Sequence, residues 1–377
     1  MNPVNGATTS TPRPVVGTTP VDRAALRGQL DRRHTVLPLG AGRTVRFETR
    51  AAAGTVAVLV ATAALAVYAL CLGSYGVVPG QVLAAIFGHP DDPLAGYFVT
   101  DVRAPRVLCA VLVGAALGTS GSIFQTVSGN PLGSPDVIGF TAGSATGALV
   151  VLLVLHDPGP APVAVGALTG GVASAILVYL LAWRGGVSGL RLVLVGIGVA
   201  AALHAVDGLL VVRASLDAAQ TAQQWLVGSL ANALWPEVRL LAIAVAVLLP
   251  CGWLLARPLS ILPMGDDVAA ALGVRTEPVR LLLVLVAVAL IAVATAATGP
   301  IAFVALAAPQ VARRIGRTAT PAIAGSAAVG ALSVLGSDVA AQHLVAPTQL
   351  AVGVVTGTLG GAYLIVLLAT EYRGNRA

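Results

Sequence analysis

Two arginines one helical turn apart, Arg103 and Arg106 in Arg103-Ala-Pro-Arg106, could present forked donors to carboxylate or phosphate. They would serve either lipid headgroups or an acidic protein partner. His204 and Asp207 stand three apart within an apolar stretch, so a helix places them on one face. Ionisable groups inside a membrane span are candidates for contact with a transport path, although this pair could instead satisfy itself. The segment Ser128-Gly-Asn-Pro-Leu-Gly-Ser-Pro-Asp136 cannot continue a helix past Pro131 and Pro135, and its Asn, Gly and Ser suit tight turns. Met264 to Val274 reads as a short surface helix, with Asp266 as N-cap, Asp267 in the first turn and Gly273 as the stop. Its apolar residues Val268, Ala271 and Leu272 must cover something, and the floor of the chain's own bundle is the default reading.

Catalytic chemistry finds no support. All 22 basic residues are Arg, so there is neither a phosphate-loop lysine nor a Schiff-base lysine. Any ATP must be hydrolysed by another chain. No nucleophile–base constellation and no HExxH occurs. Cys71, Cys109 and Cys251 form no CxxC, and the five histidines lack metal-ligand spacing. This chain is therefore expected to be no enzyme and to bind no metal or cofactor. Its net charge of +6 does not imply nucleic acid, because the arginines form no single solvated basic domain.

The elements that must hold these residues are membrane spans. Of 377 residues 56% are apolar and 10% charged, against about 25% charged in soluble domains, and the mean hydropathy is +0.88. Apolar stretches run over 51–72, 104–126, 137–155, 161–183, 190–212, 235–256, 279–298, 300–312, 321–336 and 348–370. Most approach the ~20 residues a bilayer needs. The seventh and eighth could fuse into one helix, but arginine placement decides against it. Ten spans from a cytoplasmic N-terminus put 18 arginines inside and four outside, whereas nine spans give 13 and nine. The expected fold is an all-α polytopic bundle of about ten spans, residues 51–370, with both termini cytoplasmic. Residues 1–50 read as a disordered basic, Pro/Thr-rich cytoplasmic tail, and 371–377 as a second cytoplasmic tail. Glycines at helix-packing intervals (Gly114/Gly118, Gly143/Gly147, Gly166/Gly170, Gly353/Gly357/Gly361) imply close helix approach.

Taken in order, these motifs resemble the iron-siderophore and cobalamin importer permeases of the FecCD type. The resemblance rests on Arg103-Ala-Pro-Arg106, Leu112 to Leu117, Gly121, Gln125 and Asn130-Pro-Leu-Gly-Ser-Pro135. Leu194-Val-Gly196, Trp225 to Leu230, Ala270 to Gly273, Gly299 to Val304 and Gly353 to Gly360 extend it across residues 51–370. The resemblance implies an ABC importer of the bacterial cytoplasmic membrane. Its parts would be two permease chains (identical or homologous), two cytoplasmic ATPase subunits holding ATP and Mg, and an extracytoplasmic binding protein. It also implies that Arg103 and Arg106 dock the binding protein and that Leu132, with Ser188 and Gly189, forms the cytoplasmic gate. Asp266, Asp267, Val268, Ala271, Leu272 and Gly273 would couple to the ATPase. The Asn130 to Phe140 phrase looks most like the ferric-enterobactin branch, so a ferric siderophore is the expected cargo, with cobalamin or haem as alternative. An ion-coupled secondary transporter is the alternative of another class. Gln310 replaces a usual His, Gln342 a usual Arg, Gln349-Leu350-Ala351 an acid-hydrophobe-Pro, and Gly360-Gly361 part of a Gly-Ala-Pro turn.

Overall fold

The computed structural model describes residues 34–38, 44–73, 75–89, 92–136, 138–155, 159–183, 189–318, 320–345 and 348–374. The chain divides into two units, Met1–Thr49 and Arg50–Ala377. In the first, β1 (His34–Pro38) pairs antiparallel with β2 (Thr44–Glu48), His34 opposite Glu48 and Pro38 opposite Thr44. The sequence reading assigned no element there. Thr35, Val36, Thr44, Val45 and Phe47 are nonetheless residue types that strands favour. The rest of the expected tail, 1–33 and 39–43, lies outside the described residues.

Among the described residues, the regular elements of the second unit are all helices. In chain order it comprises α1 (Thr49–Cys71), α2 (Pro79–Ile86), α3 (Pro93–Ser128), α4 (Phe140–Val154), α5 (Pro160–Ala182) and α6 (Gly189–Arg213). There follow α7 (Leu216–Leu226), α8 (Trp235–Leu254), α9 (Ala256–Ile261), α10 (Asp266–Ala271) and α11 (Thr276–Thr298). The unit ends with α12 (Val304–Gly316), α13 (Ile323–His343) and α14 (Val352–Gly374). Seven of these (α1, α3, α5, α6, α8, α11 and α13) are long and apolar enough to cross a membrane, and α4 and part of α14 are shorter apolar helices. With α12 they account for the ten expected stretches.

Two boundaries differ from expectation for clear reasons. α3 starts at Pro93 rather than 104, because a widened i→i+5 turn at Phe98–Arg103 carries an early turn into the long helix. Between α11 and α12 the chain breaks at Gly299 (φ 73°) and Phe303 (φ 67°), which keeps the two helices separate as the arginine placement required.

The centre of the bundle is α3, which packs on α13, α11 and α12. It meets α13 almost backbone to backbone: a Cβ on Gly114 would lie 2.3 Å from the Gly330 carbonyl oxygen. Small residues make that approach possible, and it matters because lipid supplies no hydrophobic drive for association. α4 and α5 meet in the same way at Gly147 and Gly166. A Cβ on Gly357 or Gly361 would meet nothing within 4 Å, so these two positions leave open space beside α14. Near the middle of the core the Phe124 and Phe140 rings lie 5.2 Å apart, joining α3 to α4.

Candidate functional site

About a third of the way along α3 the two arginines take different partners. The Arg106 guanidinium grips Asp338 of α13 side-on, with Nη2 2.9 Å from Oδ1 and Nε 3.0 Å from Oδ2. Asp338 is 2% exposed, and the Gln342 amide donates to its Oδ2 at 2.8 Å. Gln349 accepts from Arg106 Nη1. Arg103 turns the other way and donates to the backbone carbonyls of Leu70 and Tyr75. It also stands over the Phe98 ring, 5.8 Å from the centroid. The Tyr75 hydroxyl donates to Asp92, and Phe98 stacks on Tyr75. That bond raises the Tyr75 pKa and, with the Leu94 N–H, holds Asp92 below the usual carboxylate range. Sequence reasoning did not find Asp338 and Gln349 as partners, since more than 230 residues separate them from Arg106.

At the C-terminal end of α3, the Asn130 side chain accepts from the Leu132 N–H, forming an Asx turn that leaves Leu132 42% exposed. Gly189, at the start of α6, abuts this region: a Cβ there would lie 2.7 Å from the Ser128 carbonyl oxygen. The structure thus brings together Leu132's loop and Gly189, while Ser188 lies outside the described residues. A second contact was not foreseen. Gln310 of α12 donates to the Pro131 carbonyl at 2.9 Å, and Arg313 donates to Gln125, whose amide donates to Leu306.

Asp136 closes that loop beneath the α11–α12 break. It accepts from the Thr141 hydroxyl at 2.8 Å. Burial pushes its carboxyl up to about 6, opposed by Thr141 and the Phe303 N–H, which favour the ionised form. Asp136, Thr141, His204, Asp207 and Gln223 supply polar groups to a cavity of about 460 Å³. His204 Nδ1 lies 3.7 Å from Asp207 Oδ2, beyond hydrogen-bond reach. The firm partner of Asp207 is the Thr146 hydroxyl at 2.6 Å. His204 thus stands at ion-pair distance from Asp207, whose Oδ2 accepts no hydrogen bond, while Thr146 binds the other oxygen. Among the described residues, no three His, Cys, Asp or Glu side chains converge to hold a metal.

The short helix α10 exists as expected, and Gly273 (φ 81°) ends it. Two details correct the sequence reading. Gly265, not Asp266, is the N-cap; the Asp266 carboxylate instead accepts from Arg280 of α11 at 2.8 Å. Val268 and Leu272 do not cover the bundle floor, being 46% and 59% exposed, whereas Ala269 is the buried residue. Asp267 and Ala271 are also exposed.

Residues 60–370 match the model of the FecCD transport family, from the last part of α1 to α14. The chain belongs to the FecCD transport family. It is 47% identical to the ferric enterobactin transport system permease protein FepG of Escherichia coli K12, over 81% of this chain and 92% of that protein. It is 37% identical to the achromobactin transport system permease protein CbrC of Dickeya dadantii, over 83% and 91% respectively. A solved structure described as an inward-facing conformation of a putative metal-chelate type ABC transporter superposes with a TM-score of 0.74. It is 26% identical and covers 84% of this chain and 98% of that one. This FecCD chain is accordingly a multi-pass membrane permease of the siderophore and metal-chelate class of ABC importers, not an enzyme.

Proposed function

We propose that this FecCD permease carries a ferric siderophore of the enterobactin type into the cytoplasm by alternating access. The observation that carries the cargo is the 47% identity with the ferric enterobactin permease. A second permease chain, the same or homologous, completes the path, and two cytoplasmic ATPase subunits supply the ATP and Mg that this lysine-free chain cannot handle through a phosphate loop. Both termini face the cytoplasm, in keeping with the arginine distribution.

An extracytoplasmic binding protein delivers the cargo on the side of the membrane where the first half of α3 holds Arg103 and Arg106. ATPase closure pushes on the apolar stripe of Met264, Val268 and Leu272, all exposed around α10. The motion separates Leu132's loop from Gly189 at the start of α6, next to Ser188, and opens the path inward. No bond of the cargo is made or broken in this chain. The His204–Asp207–Thr146 group forms one polar wall of the path.

The test is uptake of radiolabelled ferric enterobactin by cells lacking the gene and by cells with it restored. Restored, energy-dependent uptake is expected. Unchanged ferric enterobactin uptake with loss of cobalamin or haem uptake would overturn the cargo. Transport by the chain alone in vesicles, without ATP or a binding protein, would instead make it an ion-coupled carrier.

A further inference from the structure

The arginines where α1 begins and α12 ends divide by partner. Arg313 donates to Gln125, and Arg314 stands over the Tyr363 ring, 5.8 Å from its centroid. Arg50 and Arg317 are exposed, and among the described residues neither has a hydrogen bond or an ion pair. Far apart in sequence, they are neighbours in space. The first turn of α1 packs on the last turn of α12: a Cβ on Gly316 would lie 3.3 Å from the Ala51 Cα, and one on Gly54 would lie 2.7 Å from the Ile315 Cγ2. Arg50 and Arg317 flank that contact. Arg317 also has a left-handed backbone (φ 47°) just past the helix, where glycine costs least. A charged side chain is kept there against a backbone penalty. Along the same face of α1 as Arg50, Ala53, Ala57, Ala61 and Ala64 recur at helical spacing, and all are exposed. Val60 beside them is 64% exposed. Two unpartnered cations thus stand at the end of a smooth apolar track on a membrane span.

We propose that Arg50 and Arg317 hold the phosphate of an anionic phospholipid whose acyl chain lies along the alanine face of α1. Charge complementarity selects this occupant. Two guanidinium forks can share the oxygens of one phosphodiester, and the alanines and Val60 offer a protein partner no hydrogen-bonding side chain. A second copy of this chain meeting by this face would bring like charges together near the two-fold axis. A zwitterionic lipid carries its own cation beside the phosphate, so an anionic headgroup such as phosphatidylglycerol gains more from the pair. The site is independent of the cargo and of the binding protein.

The test uses the full-length chain, purified in detergent with the subunits that accompany it and offered equal amounts of phosphatidylglycerol and phosphatidylcholine. Native mass spectrometry counts the lipids retained. Wild type should favour phosphatidylglycerol about twentyfold, and Arg50→Gln or Arg317→Gln should each cut that preference about fivefold. The double variant should bind both lipids equally. Arg314→Gln, whose charge lies on Tyr363, should keep the wild-type preference. Ala57→Trp leaves both arginines in place and obstructs the track, so phosphatidylglycerol binding should fall with the charges intact. Excess inorganic phosphate should not displace the lipid, because it has no chain to lie on α1. Thermal unfolding of each variant without added lipid should match wild type, so that a lost preference reports the site and not the fold. A preference that survives in the double variant would overturn the site, as would displacement by inorganic phosphate or full binding to Ala57→Trp. If the double variant sheds its ATPase subunits and keeps the lipid preference, the pair is a protein contact instead.

Discussion

The Gln310 side-chain amide on α12 donates to the Pro131 carbonyl in the loop that ends α3, at 2.9 Å, and Gln310 is 6% exposed. A single hydrogen bond thus ties the loop carrying Leu132 to a helix nearly 180 residues further along the chain. Proline contributes no N–H of its own, so its carbonyl is that residue's only backbone link to the neighbouring helix. Removing the bond should loosen the loop without unfolding the bundle. Gln310→Ala is expected to favour local opening by about 1 kcal/mol, roughly fivefold in population. The measurement is the rate of thiol labelling at Leu132→Cys in a background where Cys71, Cys109 and Cys251 are replaced. An unchanged rate would mean that the loop is held by other contacts.

Phe303 and Gly360 provide a strained pair. Phe303 has a left-handed backbone (φ 67°), and a Cβ on Gly360 would lie 2.2 Å from the Phe303 Cβ. Gly360→Ala should destabilise by about 1–3 kcal/mol through overpacking. In a Phe303→Gly background the same change should cost less than about 0.5 kcal/mol, since the three nearest atoms it would meet all belong to that side chain. Thermal unfolding of the four purified proteins in detergent completes the cycle. Equal costs in both backgrounds would refute the contact.

Leu272 tests the role of α10. Because it is 59% exposed, Leu272→Asp should change the stability of the isolated permease by no more than about 0.5 kcal/mol. In the assembled importer the same change buries a charge, so copurification of the ATPase should fall sharply while permease expression holds. Retained ATPase and retained uptake would leave the exposed stripe without a coupling role.

Topology gives a direct check on the arginine distribution. α13 has 21 residues, about 32 Å at 1.5 Å per residue, which is enough to cross a bilayer. A reporter fused after Arg317 is expected in the cytoplasm, and one after His343 on the opposite side. Both reporters on the same side would rule out ten spans.

Much of this architecture could be read from residue order because lipid imposes a simple rule. Backbone polar groups must be satisfied within the segment, so long apolar runs become helices. Glycine spacing announced the close contacts of Gly114 and Gly147, and Asn130 with the two prolines announced the turn at Leu132. α7 escaped that reading: with Asp217 and four glutamines or threonines it resembles neither a span nor an ordinary loop. The start of α3 at Pro93 escaped it as well, since a widened turn leaves no periodic signal.

The sequence by itself determined the solvent, the helical class, the separation of α11 from α12 at Gly299-Pro300 and the residues worth examining. Their partners were decided only by tertiary structure. Arg103 and Arg106 are the same residue type three positions apart, yet one holds neutral carbonyls and the other a buried carboxylate. Likewise nothing near position 310 in sequence points to Pro131, and nothing in the Asp266 motif reveals that Arg280 outcompetes the helix N-terminus for its carboxylate. The physical reason is common to all three. Helix formation and membrane insertion depend on neighbours within a few residues, whereas charge compensation depends on which helices meet, and that is settled by packing across the whole chain.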